Sequence, residues 1–296
     1  MRKILLIINP AAGITGKKSH VFRIADWFRN QNFGVTVLST TKKGDAEEFV
    51  KKYSSDADII VCCGGDGTLN EVINGIMRLD EKKPIGYLPA GTTNDMAKTL
   101  QIPSNLQKAA KIVVNGVPAA QDVGAFNHSQ CFTYIASFGA FTKVSYATPQ
   151  WLKNRFGHLA YVLGGIKSVN EIQPYTIKIT CNGHEESGSY IFGSVSNSIS
   201  IGGVLHLKPA DISLNDGEFE VLLIRDPKNV IEFQNIVHDL HHHRFDNENI
   251  EFFSTNDIVL SFETPTDWTI DGEYAGKPQT VEITNLHNAV QLIRRE

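Results

Sequence analysis

The sequence has little cysteine, no excess of basic residues and no long apolar segment, and each absence excludes a class of protein. Four cysteines among 296 residues are too few and too irregularly spaced for a disulfide framework or a zinc site, which favours a reducing, cytoplasmic setting. The net charge of −4 and the lack of any block of like charge argue against a nucleic-acid partner. No apolar run approaches the ~20 residues that cross a bilayer, so we expect any membrane contact to be peripheral.

The remaining pattern divides the chain into two parts. Over residues 1–125, short apolar runs alternate with amphipathic segments, which predicts an α/β domain whose parallel sheet has helices on both faces. Over residues 126–285, short β-prone runs dominate, with helical patterns at 151–171 and 228–243, which predicts a mostly antiparallel β domain. Because no Pro/Gly-rich linker separates the parts, we expect them to pack closely around a cleft.

One junction between a strand and a helix carries the most chemical information. The apolar run 57–63 ends in Gly64-Gly65-Asp66-Gly67, and Thr68 then opens a helical pattern. Glycines allow backbone N–H groups to approach a ligand, and a helix N-terminus carries partial positive charge, so this segment predicts a phosphate site. Asp66 conflicts with phosphate unless a metal ion or a proton transfer explains it. Thr68 and Glu71 also fit a capping box, which is compatible with ligand binding.

Two other polar, glycine-containing loops follow predicted strands on the same sheet edge, at residues 9–19 and 88–97. The first is not a P-loop, because only two residues separate Gly13 from Gly16. The threonines, Asn94 and Asp95 of the second are also good helix caps. Ligands of parallel sheets bind at the carboxyl ends of the strands, so the three loops together predict one binding edge.

The second part contains two acidic turns and a histidine run. Asn215-Asp216-Gly217 predicts a turn, and Asp216 with neighbouring carbonyls could hold a hard divalent cation. Asp271-Gly272-Glu273 also predicts a tight turn, in which one acid could serve as a general base. We interpret the histidines at 241–243, at the polar end of a helix, as solvated surface, with metal binding as the alternative.

Taken together, these motifs resemble the diacylglycerol kinase catalytic-domain family, especially its soluble bacterial lipid kinases, with sphingosine kinases as eukaryotic relatives. The matching segments occur in family order and span nearly the whole chain. They are Asn9-Pro10-Ala11-Ala12-Gly13, Gly64-Gly65-Asp66-Gly67-Thr68-Leu69-Asn70-Glu71, Leu88-Pro89-Ala90-Gly91-Thr92-Thr93-Asn94-Asp95, Asn215-Asp216-Gly217 and Asp271-Gly272-Glu273.

The resemblance implies an ATP- and Mg²⁺-dependent lipid kinase, with diacylglycerol as the expected acceptor and phosphatidic acid as the product. Asp66 would help to organise the phosphates and magnesium, which resolves the conflict above, and Glu273, with Asp271 nearby, would be the base. The implied nucleotide contacts are Asn9, Pro10, Ala11, Ala12, Gly13, Thr40, Gly65, Asp66, Gly67, Thr68, Leu69, Asn70, Glu71 and Thr92. The implied structural magnesium site consists of Ser213, Asp216 and Glu218. A C-terminal strand at about 286–296 is expected to return to the first domain.

Two alternatives stay open. An NAD kinase shares the Gly-Gly-Asp-Gly-Thr motif, although the loop at residues 88–95 argues against it. A nucleotide-binding regulator without turnover is disfavoured by the presence of Asp66, Asp271 and Glu273. The expected partners are a membrane, contacted peripherally, and a second copy of the chain in a homodimer. A group of large apolar residues predicts either a membrane-facing lip or part of the core. That group is Trp151, Leu152, Phe156 and Tyr161.

Overall fold

The chain folds into two compact units. The computed structural model describes residues 1–12, 18–139, 173–197, 200–201, 205–206 and 213–295. The first unit comprises residues 1–123 and 287–296, and the second comprises residues 124–286. The segment 151–171, with the four residues of the predicted lip, lies outside the described residues, as does Gly13.

The first unit is an α/β structure, as the sequence predicted. Its elements in chain order are β1 (Lys3–Ile8), α1 (Lys18–Asn30), β2 (Gly34–Ser39), α2 (Asp45–Tyr53), β3 (Ile59–Gly64), α3 (Asp66–Met77), β4 (Ile85–Pro89), α4 (Asp95–Thr99), α5 (Leu106–Asn115) and most of β5 (Val117–Phe126). Strands β4, β3, β1 and β2 lie side by side in parallel. Strands β3 and β4 are buried along their whole length, which is typical of a parallel sheet covered on both faces.

The second unit is mostly antiparallel β structure, again as predicted. Its elements are β6 (Gln130–Phe132), β7 (Ile135–Gly139), β8 (Tyr175–Cys181), β9 (His184–Ser196), β10 (Ser200–Ile201), β11 (Leu205–His206), β12 (Phe219–Arg225), α6 (Val230–His241), β13 (Ile250–Thr255), β14 (Asp257–Phe262), β15 (Trp268–Ile270), β16 (Glu273–Gly276) and the first part of β17 (Thr280–Arg294). The long strand β9 pairs antiparallel with β8, β7 and β12. Strand β15 joins the other side of β7.

An aromatic cluster forms the core of the second unit. Trp268 and Phe138 are both fully buried, with ring centroids 5.0 Å apart, and Phe262 meets Phe138 edge to face at 4.9 Å. Such pairs contribute about 0.5–1.5 kcal/mol each beyond the burial of their area. This packing holds β15 against β7 and so determines where the turn after Ile270 lies.

The last strand, β17, covers both the predicted run at 279–284 and most of the C-terminal strand expected at about 286–296. Its first part pairs antiparallel with β14, and Leu292 pairs in parallel with Ile85 of the first unit. The backbone of Asn288 adopts a left-handed conformation, with φ of 52°. The fully buried carboxylate of Asp122 holds this bend, because it accepts hydrogen bonds from the Asn288 N–H at 2.6 Å and from His287 Nδ1 at 3.1 Å.

The described residues contain no helix with the length and hydropathy that crossing a bilayer requires.

Candidate active site

The junction between β3 and α3 places helix N–H groups at the sheet edge without a side-chain cap. Helix α3 begins at Asp66, and its N-cap, Gly65, has an extended backbone and no side chain to offer. The predicted capping box is therefore wrong. Thr68 and Glu71 lie inside the helix, three residues later than a capping box requires, and their side chains bond to other segments.

Glycine is required where this junction meets the loop after β4. The Ala90 N–H donates to the Gly64 carbonyl at 2.8 Å, which continues the parallel ladder into the loops. A Cβ atom on Gly91 would lie 2.5 Å from the Cα of Gly65. Because that distance is far inside van der Waals contact, the two loops can approach this closely only with glycine at residue 91.

The loop after β1 is tied to α3 through Asn9. Its Nδ2 donates to Thr68 Oγ1 at 3.1 Å, and its backbone N–H donates to the Cys63 carbonyl at 2.9 Å. Its Oδ1 accepts from the Ala11 N–H at 2.9 Å, which folds the loop back over Pro10. Pro10 and Ala11 are exposed, while Ala12 is half-buried.

Asp66 ties α3 to α4. Its carboxylate accepts hydrogen bonds from the backbone N–H groups of Asp95 at 2.9 Å and Met96 at 3.2 Å, the first two residues of α4. Asn94 is the N-cap residue of α4, as the sequence suggested, but its side chain bonds to its own loop: its Oδ1 accepts from the Gly91 N–H and its Nδ2 donates to the Gly91 carbonyl. The three loops are thus joined to one another by hydrogen bonds.

Glu71 ties α3 to α2. Its two carboxylate oxygens accept from the N–H groups of Gly44 at 2.9 Å and Ala46 at 3.1 Å, at the N-terminus of α2. An anionic side chain is favoured there by the helix dipole and by the unpaired N–H groups.

The other predicted nucleotide residues differ in accessibility. Thr92 is exposed, Gly67 and Asn70 are half-buried, and Thr40 is buried at the end of β2, where its N–H donates to the Ile8 carbonyl. Leu69 is fully buried, and its N–H donates to the Gly65 carbonyl. Leu69 therefore contributes to the helix and the core.

The thiols of Cys62 and Cys63 and the phenol of Tyr87, on strands β3 and β4, stay neutral at physiological pH. Burial raises the pKa of the Cys63 thiol to about 12 and that of Cys62 well above its ordinary value. Burial, and then the nearby Asp66 carboxylate, raise the pKa of the Tyr87 phenol. The two thiols therefore pack as small apolar groups, as predicted, and are not nucleophiles.

In the second unit, Asp271 and Gly272 form the two-residue turn between β15 and β16. Their φ values of 47° and 81° are those of a type I′ hairpin turn. Burial raises the pKa of the Asp271 carboxyl, while hydrogen bonds to the ionised form oppose that rise. Its oxygens accept from Thr133 N at 2.8 Å, Thr133 Oγ1 at 2.9 Å, Tyr134 N at 3.0 Å and Ile135 N at 3.1 Å.

Asp271 is thus a buried anchor of the hairpin, whereas Glu273, two residues later, is exposed at the start of β16. This difference was not evident from the sequence, in which the two acids look equivalent. Catalytic roles for both remain predictions, and the geometry makes Glu273 the more accessible of the two.

The predicted magnesium loop precedes β12. Glu218 N donates to Asp216 Oδ1 at 3.1 Å, and Gly217 has φ of 86°, so the loop turns sharply there. Ser213, Asp216 and Glu218 are exposed. In the part of the chain that the structure describes, no group of three or more His, Cys, Asp or Glu side chains is arranged to hold a metal ion. A carboxylate with main-chain carbonyls remains a chemically suitable donor set for Mg²⁺, and the site stays a prediction.

Comparison with known proteins assigns the chain to a family. Residues 3–126 match the diacylglycerol kinase catalytic domain, and residues 135–294 match the YegS C-terminal NAD kinase beta sandwich-like domain. The diacylglycerol kinase of Bacillus subtilis (strain 168) is 32% identical over 296 residues, covering 99% of this chain and 96% of that protein. The chain belongs to the diacylglycerol kinase family. The resemblance recognised in the sequence is therefore confirmed.

Other members of the family agree over nearly the full length. The diacylglycerol kinase of Staphylococcus saprophyticus (strain ATCC 15305) is 28% identical, covering 93% of this chain and 90% of that protein. A crystal structure of a candidate diacylglycerol kinase from Bacillus anthracis (strain Sterne) superposes with a TM-score of 0.84 at 26% identity, covering 99% of this chain and 95% of that one. Membership of this family makes the chain a kinase-type enzyme.

Proposed function

We propose that the chain is an ATP-dependent lipid kinase that transfers the γ-phosphoryl group to the hydroxyl of diacylglycerol and yields phosphatidic acid. The observation that carries the proposal is the joining of three loops at one sheet edge, through Asn9 to Thr68 and through Asp66 to Asp95 and Met96. The names of the relatives support the choice of lipid.

The nucleotide phosphates would lie at the uncapped N-terminus of α3. Gly65 and Gly67 leave the backbone accessible there, and the positive end of the helix dipole favours the phosphate charge. Asp66 accepts hydrogen bonds from the backbone N–H groups of Asp95 and Met96, which hold its carboxylate at the same edge as the phosphates. In this position the carboxylate would help to organise the water shell that Mg²⁺ retains in nucleotide sites.

The acceptor hydroxyl requires a base, and Glu273 is our choice because it is exposed on a turn that Asp271 anchors. The lipid hydroxyl would lose its proton to Glu273 while its oxygen bonds to the γ-phosphorus. The bond between that phosphorus and the β,γ-bridging oxygen breaks, and ADP departs with the electron pair. Positioning and charge neutralisation supply most of the catalysis in phosphoryl transfer. When bound, Mg²⁺ neutralises charge on the phosphates, and Ser213, Asp216 and Glu218 would hold a second ion.

The test is the transfer of labelled phosphate from ATP to diacylglycerol in mixed micelles. We expect Asp66→Asn and Glu273→Gln each to lower kcat by about 10² or more, because a general base or charge-organising group contributes on that order. The matched controls are Asp26→Asn and Glu263→Gln, which change exposed carboxylates elsewhere and should leave kcat unchanged. Circular dichroism of each variant checks that it is folded.

Three outcomes would contradict the proposal. Full activity in both Asp66→Asn and Glu273→Gln would show that the assigned residues are wrong. Formation of NADP from NAD and ATP, with no lipid phosphorylated, would favour an NAD kinase. Tight ATP binding without transfer to any lipid in an acceptor panel would favour a regulator.

A further inference from the structure

Two histidines lie close together at the C-terminal end of α6. His238 and His242 are four residues apart, so their side chains project on the same side of the helix. Their ring centroids are 4.2 Å apart, and the ring planes are inclined by 31°. Both residues are exposed, whereas Ile236 and Leu240 form the buried side of the same helix.

The tautomer of His242 is determined by a backbone hydrogen bond. Its Nδ1 lies 2.8 Å from the carbonyl oxygen of His238. A carbonyl oxygen can only accept, so Nδ1 carries the hydrogen atom. In the neutral imidazole the lone pair is then on Nε2, which is the nitrogen that a metal ion would bind.

His238 has a comparable partner in Asp239. Its Nδ1 lies 3.3 Å from Asp239 Oδ1, and Asn247 Nδ2 donates to the other carboxylate oxygen at 2.7 Å. A carboxylate oxygen accepts hydrogen bonds, so Nδ1 of His238 also carries hydrogen, and its lone pair is on Nε2.

This arrangement is the one that metal-binding histidines have in proteins. A ligating imidazole almost always donates its second N–H to a carboxylate or a backbone carbonyl, which orients the ring and makes the ligating nitrogen more basic. Here the His238 ring has a carboxylate partner, Asp239, and the His242 ring has a backbone carbonyl partner, that of His238. The histidine run alone, which we interpreted from the sequence as solvated surface, does not reveal this, because the pair includes His238 outside the run.

We propose that His238 and His242 bind one divalent transition-metal ion, such as Zn²⁺, Ni²⁺ or Cu²⁺, through their Nε2 atoms, with water or a donor from another molecule completing the coordination. Imidazole nitrogens suit these ions, while Mg²⁺ prefers oxygen ligands. With metal–nitrogen distances of about 2.0 Å, two imidazoles on one ion have centroids roughly 5 Å apart. The observed centroid separation of 4.2 Å is slightly shorter than this value.

The test is titration of the full chain, without an added histidine tag, with ZnCl₂ by calorimetry and with CuCl₂ by electron paramagnetic resonance. We expect one site per chain, and a copper spectrum that shows two coordinated imidazole nitrogens. His238→Ala and His242→Ala should each weaken binding by more than about tenfold, and Asp239→Asn by about tenfold, as expected for loss of an outer-shell partner. His243→Ala is the matched control and should bind as the unaltered chain does.

Two results would overturn the inference. The first is an equal loss of binding in His243→Ala and His238→Ala, because the ion would then be bound by the histidine run. The second is the absence of saturable binding of either metal to the unaltered chain. His238→Gln, which keeps a polar side chain on the helix, replaces His238→Ala if the alanine variant loses helical structure.

Discussion

At the scale of single residues, the acidic side chains of the candidate site act chiefly on backbone N–H groups. Asp66 accepts from the start of α4, Glu71 from the start of α2, and Asp271 from the segment Thr133–Ile135. Hydrogen bonds to ionised carboxylates are about twice as strong as neutral ones, so each side chain stabilises the position of a loop. Glu273 is exposed, which suits a residue that must reach a substrate.

Glu220 is a buried carboxyl group that the sequence analysis did not single out. It lies on β12, is 5% exposed, and its Oε2 has no hydrogen-bond partner among the described residues. Burial raises its pKa from 4.5 to about 8, with smaller contributions from Asp216 and Glu218. The folded state therefore keeps this proton over a pH range in which the unfolded chain releases it.

This proton makes stability depend on pH. Between about pH 5 and pH 8 the folded state binds more protons than the unfolded state, so the free energy of unfolding should fall as pH rises. Glu220→Gln has no such proton, so its free energy of unfolding should rise relative to that of the unaltered chain by on the order of 3 kcal/mol over this range. Urea unfolding at pH 5, 6.5 and 8 measures the difference, with Glu263→Gln as the exposed control. Parallel pH profiles for the two proteins would show that Glu220 is ionised when folded.

At the scale of elements, the four parallel strands β1 to β4 agree with the sequence because their signal is local. The runs at 3–8 and 84–89 are β1 and β4 to within one residue. The strands β5, β11, β13, β15 and β16 were not predicted. Strand β5 contains Pro118, Gln121 and Asp122 in place of a β-branched run, and β15 has only three residues, so pairing with neighbouring strands determines both.

The close approach of two loops gives a test at this scale. Gly91→Ala would place a Cβ atom against the backbone of Gly65, and neither backbone can rotate away as a side chain would. We expect the loops to separate and ATP binding, measured by calorimetry, to weaken by about tenfold or more, since even about 1 Å of misplacement has large effects in such sites. In Gly34→Ala the new Cβ meets the flexible end of Met1, at 3.2 Å, so this control should bind ATP normally. Unchanged ATP binding in Gly91→Ala would show that the nucleotide site does not require the close approach of these two loops.

At the scale of the whole molecule, the path of the chain joins its two ends in one unit. Residues 287–296 belong with residues 1–123, although most of the sequence between them forms the second unit. Val290, Leu292 and Ile293 are buried in this returning segment. The first unit is therefore completed only when the last residues of the sequence are present.

Removal of the returning segment should destabilise the first unit. A chain ending at residue 286 loses the buried side chains of Val290, Leu292 and Ile293, at about 1.5–3 kcal/mol each, and the hydrogen bonds that His287 and Asn288 donate to the buried Asp122. Together these losses are comparable to the whole stability of a typical domain. We expect rapid proteolysis within residues 1–123, while a chain ending at Arg294 should resist digestion as the full chain does. Equal resistance of the two shortened chains would show that the segment is dispensable.

The sequence by itself determined the α/β character of the first part, the β character of the second, the family, and the three loops at one sheet edge. These properties depend on local periodicity and on glycine-containing motifs, which are readable without knowledge of distant contacts. Only the tertiary structure decided that Glu71 reaches α2, that Asp271 is buried while Glu273 is exposed, and that Asp122 bonds to the backbone of Asn288. The physical reason is that each of these depends on contacts between residues far apart in the chain, and residue type alone does not identify the partner.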